Sequence, residues 1–95
     1  MVVLAPCDAY DVRSCILWMA EYEGPVYLQL SRFKQPAILD QSYRLDPHKA
    51  VKLRDGSNVT LVSTGYMTQF AVQAAEGLSA GGFGVDLLHY PKFRS

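Results

Sequence analysis

Arg32 is the side chain best placed to do chemistry. It follows an apolar, β-rich stretch at residues 26–30, at the point where Ser31 ends the pattern. Open α/β sheets gather their ligands beyond the carboxyl ends of their strands. A guanidinium there offers a planar fork of donors that suits phosphate or carboxylate. The plain alternative is a solvated arginine at a strand exit. The second candidate is Ser63-Thr64-Gly65-Tyr66-Met67. A strand there turns through glycine into the start of a helix, where free backbone N–H groups attract anions. An ordinary strand–helix corner would read the same way.

The other reactive residue types are scattered. His48 and His89 have no Cys or carboxylate cluster at ligand spacing, so no metal site is expected. Ser31 and Ser63 lack nearby His–acid partners in sequence and any nucleophile-elbow pattern. Gly81-Gly82-Phe83-Gly84 follows a helix instead of preceding one, so it reads as a helix stop. Cys7 and Cys15 fit neither a Cys-x-x-Cys pair nor a zinc spacing and read as buried free thiols. Asn58-Val59-Thr60 fits the glycosylation sequon, here a chance match.

The elements that must position these residues follow from the apolar pattern. Residues 2–6 read as a short buried strand. Asp8 can cap a helix, with Asp11 completing a carboxylate version of the capping box. Ala9, Val12, Ile16, Met19 and Ala20 recur at helical spacing, and Gly24-Pro25 breaks the run. With the strand at 26–30 this makes a β-α-β unit with parallel strands and a right-handed crossover. Trp18 falls off that apolar stripe, beside Asp11 and Ser14. It either packs on its own linker or waits for a neighbour. Residues 33–48 lack a period and contain Pro36 and Pro47, which suggests an extended linker. Residues 50–53 read as a strand, and Asp55-Gly56 as a hairpin turn into the buried strand 59–64. Thr64 is placed to cap the next helix. Met67, Phe70, Ala71, Ala74, Ala75 and Leu78 mark its apolar face, Gly81-Gly82 its end, and residues 84–90 a closing strand.

The expected fold class is therefore α/β: two small β-α-β units with mainly parallel strands, joined by an extended linker. Sheets of two or three strands leave edges open. The chain thus resembles pieces of two larger sheets and is expected to associate. Its 95 residues are 49% hydrophobic and 19% charged, the balance of an ordinary globular domain. Nine basic and nine acidic residues cancel, giving no electrostatic reason to expect nucleic acid or an anionic membrane as partner. No apolar run approaches the roughly 20 residues of a membrane span. The N-terminal residues lack a basic leader, so a cytoplasmic location is expected.

Two stretches resemble one family. Residues 5–32 (APCDAYDVRSCILWMAEYEGPVYLQLSR) are similar to the end of the pyrimidine-binding domain of transketolases. Residues 48–91 resemble the start of the C-terminal domain in the same family, especially the C-terminal chain of split bacterial transketolases. Pro6, Asp8 and Ala9, Gly24 to Tyr27, Leu30 to Arg32, Arg54 to Ser57, Val59-Thr60 and Thr64-Gly65 carry it by order and spacing. Deoxyxylulose-phosphate synthases and 2-oxoacid dehydrogenase beta subunits share the layout, but Leu-Ser-Arg favours the transketolase branch. The resemblance implies the end of a pyrimidine-binding domain at 1–33, a linker at 34–48 and the first part of a C-terminal domain at 49–95. It implies that Arg32, with Ser31, holds the phosphate of a sugar phosphate substrate. The parent enzyme would transfer a two-carbon ketol unit using thiamine diphosphate and Mg2+. The family's activating glutamate and its Gly-Asp-Gly…Asn diphosphate motif have no counterpart here. No cofactor, metal or catalytic residue is therefore expected in this chain. It should need the missing domains or a partner subunit, in a homo- or hetero-oligomer, and be inactive alone. Gln29 stands where many relatives carry Arg, and His48 where Gly is usual. The alternative is a non-catalytic α/β binding or assembly module, or a piece of a 2-oxoacid dehydrogenase beta subunit.

Overall fold

The computed structural model describes residues 1–32 and 36–94 of the chain. The unit boundary expected at 33/34 lies outside the described residues. The first unit opens with strand β1 (Val2–Leu4), helix α1 (Ala9–Glu21) and strand β2 (Val26–Leu28). The second contains β3 (Val51–Arg54), β4 (Val59–Ser63), a 3-10 turn (Gly65–Met67), α2 (Thr68–Ala80) and β5 (Val85–His89). A short strand β6 (Lys92–Arg94), not expected from the sequence, ends the order.

β1 and β2 pair in parallel, as a β-α-β unit requires. β4 and β5 do the same around α2. Two antiparallel pairings complete the sheets: β6 joins β1, and β3 joins β5. The sheet orders are β2-β1-β6 and β3-β5-β4. The chain's last strand therefore belongs to the sheet that holds its first.

The hairpin read from Asp55-Gly56 is corrected by this order: β5 lies between β3 and β4. The turn crosses the start of β5 instead of closing a two-strand ribbon. Asn58 N–H and Val59 N–H donate to Gly84 O at 2.9 and 3.1 Å, and Gly84 N–H donates to Asn58 Oδ1 at 2.7 Å. A Cβ on Gly56 would lie 2.3 Å from Val85 N, so only glycine fits this crossing.

The face of α1 differs from the periodicity, and that of α2 follows it through Ala71, Ala75 and Leu78 only. On α1 the buried residues are Asp11, Ser14 and Cys15, while Ile16 is 50% exposed. The linker explains why. Asp8 accepts from Ile38 N–H and Leu39 N–H, both at 2.6 Å, and Ser14 Oγ accepts from Leu45 N–H. The polar side of α1 thus satisfies linker amides that would otherwise be buried without partners. Trp18 lies on this side, packed at the edge of the Val2–Leu4–Cys15 core with Leu45 and stacked on Tyr22. On α2, Ala75 is buried and Val72 and Leu78 pack on Val85 and Leu87, whereas Met67 and Phe70 face outward. Among the described residues no helix is long and apolar enough to cross a membrane.

Candidate functional site

A cleft of about 280 Å3 opens where the two units meet, lined by Pro6, Gln29, Leu30, Ser31, Arg32, Gly65 and Tyr66. β2 delivers one wall. Gln29 N–H donates to Leu4 O at 2.9 Å, and the chain then leaves the sheet with Ser31 and Arg32 exposed. Among the described residues no ion pair involves Arg32. The 3-10 turn delivers the other wall. Gly65 has φ +63, and a Cβ there would sit 3.2 Å from Ala5 Cβ, so the left-handed turn lies directly on the first unit. The two stretches that the sequence offered separately as anion sites, residues 31–32 and 63–67, border one cavity. Thr64 caps no helix: its hydroxyl donates to Tyr90 O.

Beneath the cleft runs a buried polar chain that the sequence did not announce. His89 Nε2 lies 2.7 Å from Asp11 Oδ2, although 78 positions separate the two residues. His89 Nδ1 lies 3.0 Å from Thr68 Oγ1, which in turn accepts from Ser63 Oγ at 3.0 Å. Asp11 Oδ2 also accepts from Cys7 N–H at 2.9 Å, and Asp8 Oδ1 accepts from Asp11 N–H at 2.8 Å. The capping box is therefore displaced by one residue, reaching Cys7 instead of Asp8. Donors and acceptors match if His89 carries its proton on Nε2 and Thr68 donates to Nδ1. Asp11, Thr68 and His89 are each 0% exposed, so this acid–imidazole–hydroxyl series has no access to substrate.

Cys7, Asp11 and His89 also place ligand atoms within 4.8 Å of one another. The Asp11–His89 bond occupies the atoms that a metal would need. Burial first, then the carboxylates of Asp11 and Asp8, push the Cys7 thiol far above its ordinary range. Burial and Asp11 do the same to Cys15, whose Sγ donates to Asp11 Oδ1 at 3.6 Å. A metal needs the thiolate, which this setting disfavours. The residues lining the cleft include no carboxylate, whereas Mg2+ beside a diphosphate takes hard oxygen ligands. The residues lining this cleft therefore do not fit a magnesium–diphosphate group.

The two sheets, their crossovers and a cleft at a strand's carboxyl end define a mixed α/β chain whose units share a ligand-sized junction. Residues 48–94 match the family model "Transketolase, C-terminal domain". A transketolase family protein of Sinorhizobium fredii is 37% identical over 95 residues, covering 99% of this chain and 28% of that protein. A 6-deoxy-6-sulfo-D-fructose transketolase subunit of a Clostridium species is 34% identical over 89 residues, covering 94% and 28%. A solved structure described as a split gene transketolase, inactive beta4 tetramer, superimposes with a TM-score of 0.93 at 35% identity, covering 97% of this chain and 31% of that one. The chain belongs to the transketolase family. It spans less than a third of the length of each of these three proteins.

Proposed function

We propose that this chain contributes the substrate-phosphate wall of a transketolase-like enzyme that moves a two-carbon ketol unit between sugar phosphates. The carrying observation is the cleft at the end of β2, with Arg32 outside any ion pair among the described residues. Arg32 binds the phosphate through its donor fork, and the Ser31 hydroxyl adds a contact. Gln29, also in the wall, offers a neutral amide where a second cation would bind an anion more tightly. Thiamine diphosphate and Mg2+ are held by other domains or a partner subunit, since the lining of this cleft does not fit them. The units are the end of a pyrimidine-binding domain, a linker and the first part of a C-terminal domain. The chain works in the cytoplasm as part of a homo- or hetero-oligomer and is inactive alone. Support for that comes from the related chain described as an inactive tetramer.

The test is Arg32→Ala in the complete enzyme, assayed with matched phosphorylated and unphosphorylated sugars. Losing a charge-assisted contact costs on the order of 1.5–3 kcal/mol, or roughly tenfold to a hundredfold in affinity. KM for the phosphorylated sugar rises by that factor, and the unphosphorylated sugar is unaffected. Arg32→Lys recovers part of the loss, because a point charge replaces a fork. Equal losses for both sugars would make Arg32 structural.

A second reading is an assembly module without turnover. It is favoured by the open apolar groove along Val62, Met67, Phe70 and Ala74. Activity that appears when the missing domains are supplied separates the two readings.

A further inference from the structure

We infer that Asp11, His89 and Thr68 are positioning residues for the cleft. They form a hydrogen-bonded relay that sets the spacing between its two walls. The inference rests on reading the cleft as a phosphate site, and adds the residues that fix its width.

The relay connects one wall to the other without a gap. Pro6 lines the first wall, and the next residue, Cys7, donates its N–H to Asp11 Oδ2 at 2.9 Å. The same carboxylate oxygen meets His89 Nε2 at 2.7 Å, and His89 Nδ1 meets Thr68 Oγ1 at 3.0 Å. Thr68 N–H then donates to the carbonyl of Gly65, which lines the second wall. Each side chain in the series is fully buried and joins elements far apart in sequence. Buried hydrogen bonds of this kind permit little drift, because an unmade bond leaves a desolvated polar atom. Backbone bonds also hold the units together: Ala5 N–H donates to Pro91 O at 2.7 Å, and β6 pairs with β1. Those ties reach the first wall beside Pro6 but end at residues 91–94, not at the Gly65 turn of the second wall. The relay is what reaches both Cys7 and Gly65. Breaking it should leave the units attached and let the walls slip.

The experiment titrates the full chain with inorganic phosphate by NMR, following Arg32 Nε–H and the Gly65 amide. Thr68→Val removes the hydroxyl at nearly constant volume, and Thr68→Ser restores it. Thr68→Val should weaken phosphate binding on the order of fivefold to tenfold, a partial loss of one oriented contact. It should also lose the nuclear Overhauser contact between the Ala5 methyl and Gly65. Thr68→Ser should recover both. In an Arg32→Ala background, Thr68→Val should add nothing further, since no guanidinium remains to be positioned. If Thr68→Val does not fold, His89→Gln replaces it in the same cycle. Wild-type affinity in a folded Thr68→Val chain overturns the relay while leaving the phosphate reading intact, provided Arg32→Ala alone weakens binding. So does a full extra loss in the Arg32→Ala background. Phosphate binding that ignores Arg32→Ala overturns the phosphate reading itself, and the relay with it.

Discussion

Cys7 N–H and the Cys15 thiol both donate to the Asp11 carboxylate, and both side chains are sealed from water. Their place as buried free thiols is legible from the sequence, because apolar surroundings and the lack of a pairing motif leave little else for them. The carboxylate between them is not, because Asp11 looks like a helix-capping residue and His89 like an isolated imidazole. Only the fold brings residues 78 positions apart together. The setting has a consequence for stability. Burial, reinforced by Asp11, raises both thiols in the folded state, so the native chain keeps protons that the unfolded chain releases above about pH 8.5. The contribution is complete below that pH and is lost as pH rises, by on the order of 1.4 kcal/mol per pH unit for each thiol. Tyr43, raised mainly by burial, adds the same sign from about pH 10. Urea midpoints measured between pH 7.5 and 10 should fall steadily above 8.5. Replacing both cysteines with alanine should flatten that window. A wild-type profile already flat there would mean that water reaches the thiols.

At the scale of elements, existence and order are readable and faces only in part: Ala71, Ala75 and Leu78 of the α2 stripe pack in the core while Met67 and Phe70 do not. Both helices, the five strands β1 to β5 and the glycine stop after α2 follow from period, capping and turn chemistry. Gly82 at φ +93 and the Phe83 N–H to Leu78 O bond close α2 as the double glycine suggests. The apolar stripe misleads on α1, because what covers that helix is a linker with backbone amides to satisfy. Asp8 and Ser14 do this, and an apolar face could not. β6 escapes notice for another reason. The three residues after Pro91 are too few for their alternation to signal a strand, and their pairing with β1 is decided by tertiary contact. The Asp55-Gly56 signal does mark a tight turn, but one that passes over β5. Gly56→Ala tests this. A Cβ 2.3 Å from Val85 N meets backbone, which cannot rotate away. The substitution should cost about 2 kcal/mol or more, at the upper end of overpacking changes. Gly77→Ala, where a Cβ meets nothing within 4 Å, should be neutral or stabilising by up to about 1 kcal/mol. Equal unfolding midpoints for the two variants would return the turn to an ordinary hairpin.

The molecule measures 45 × 26 × 22 Å, and among the described residues it carries two small cores, each built on three buried residues. Sheets of three strands stabilise themselves only where something covers their faces and edges. Here β4 stands at the rim of its sheet, with Val62 64% and Met67 61% exposed beside it. With Phe70 and Ala74 they form an open apolar groove of about 460 Å3. Among the described residues nothing fills it, and an open strand edge beside an apolar groove is a template for association. The chain should therefore bind a second copy of itself through this rim. Light scattering should give a mass rising above 10.6 kDa as concentration increases from micromolar to hundreds of micromolar. Val62→Lys together with Met67→Lys places charge on the rim and should hold the mass at the monomer value. Both side chains point into solvent, so the pair should leave the unfolding midpoint nearly unchanged. Persistent association in the double variant would move the contact to another surface, with the exposed Ile16 and Leu17 of α1 as the next candidate. A wild-type chain that stays monomeric at every concentration would show that the open rim is tolerated in water, and the argument from sheet size would fail.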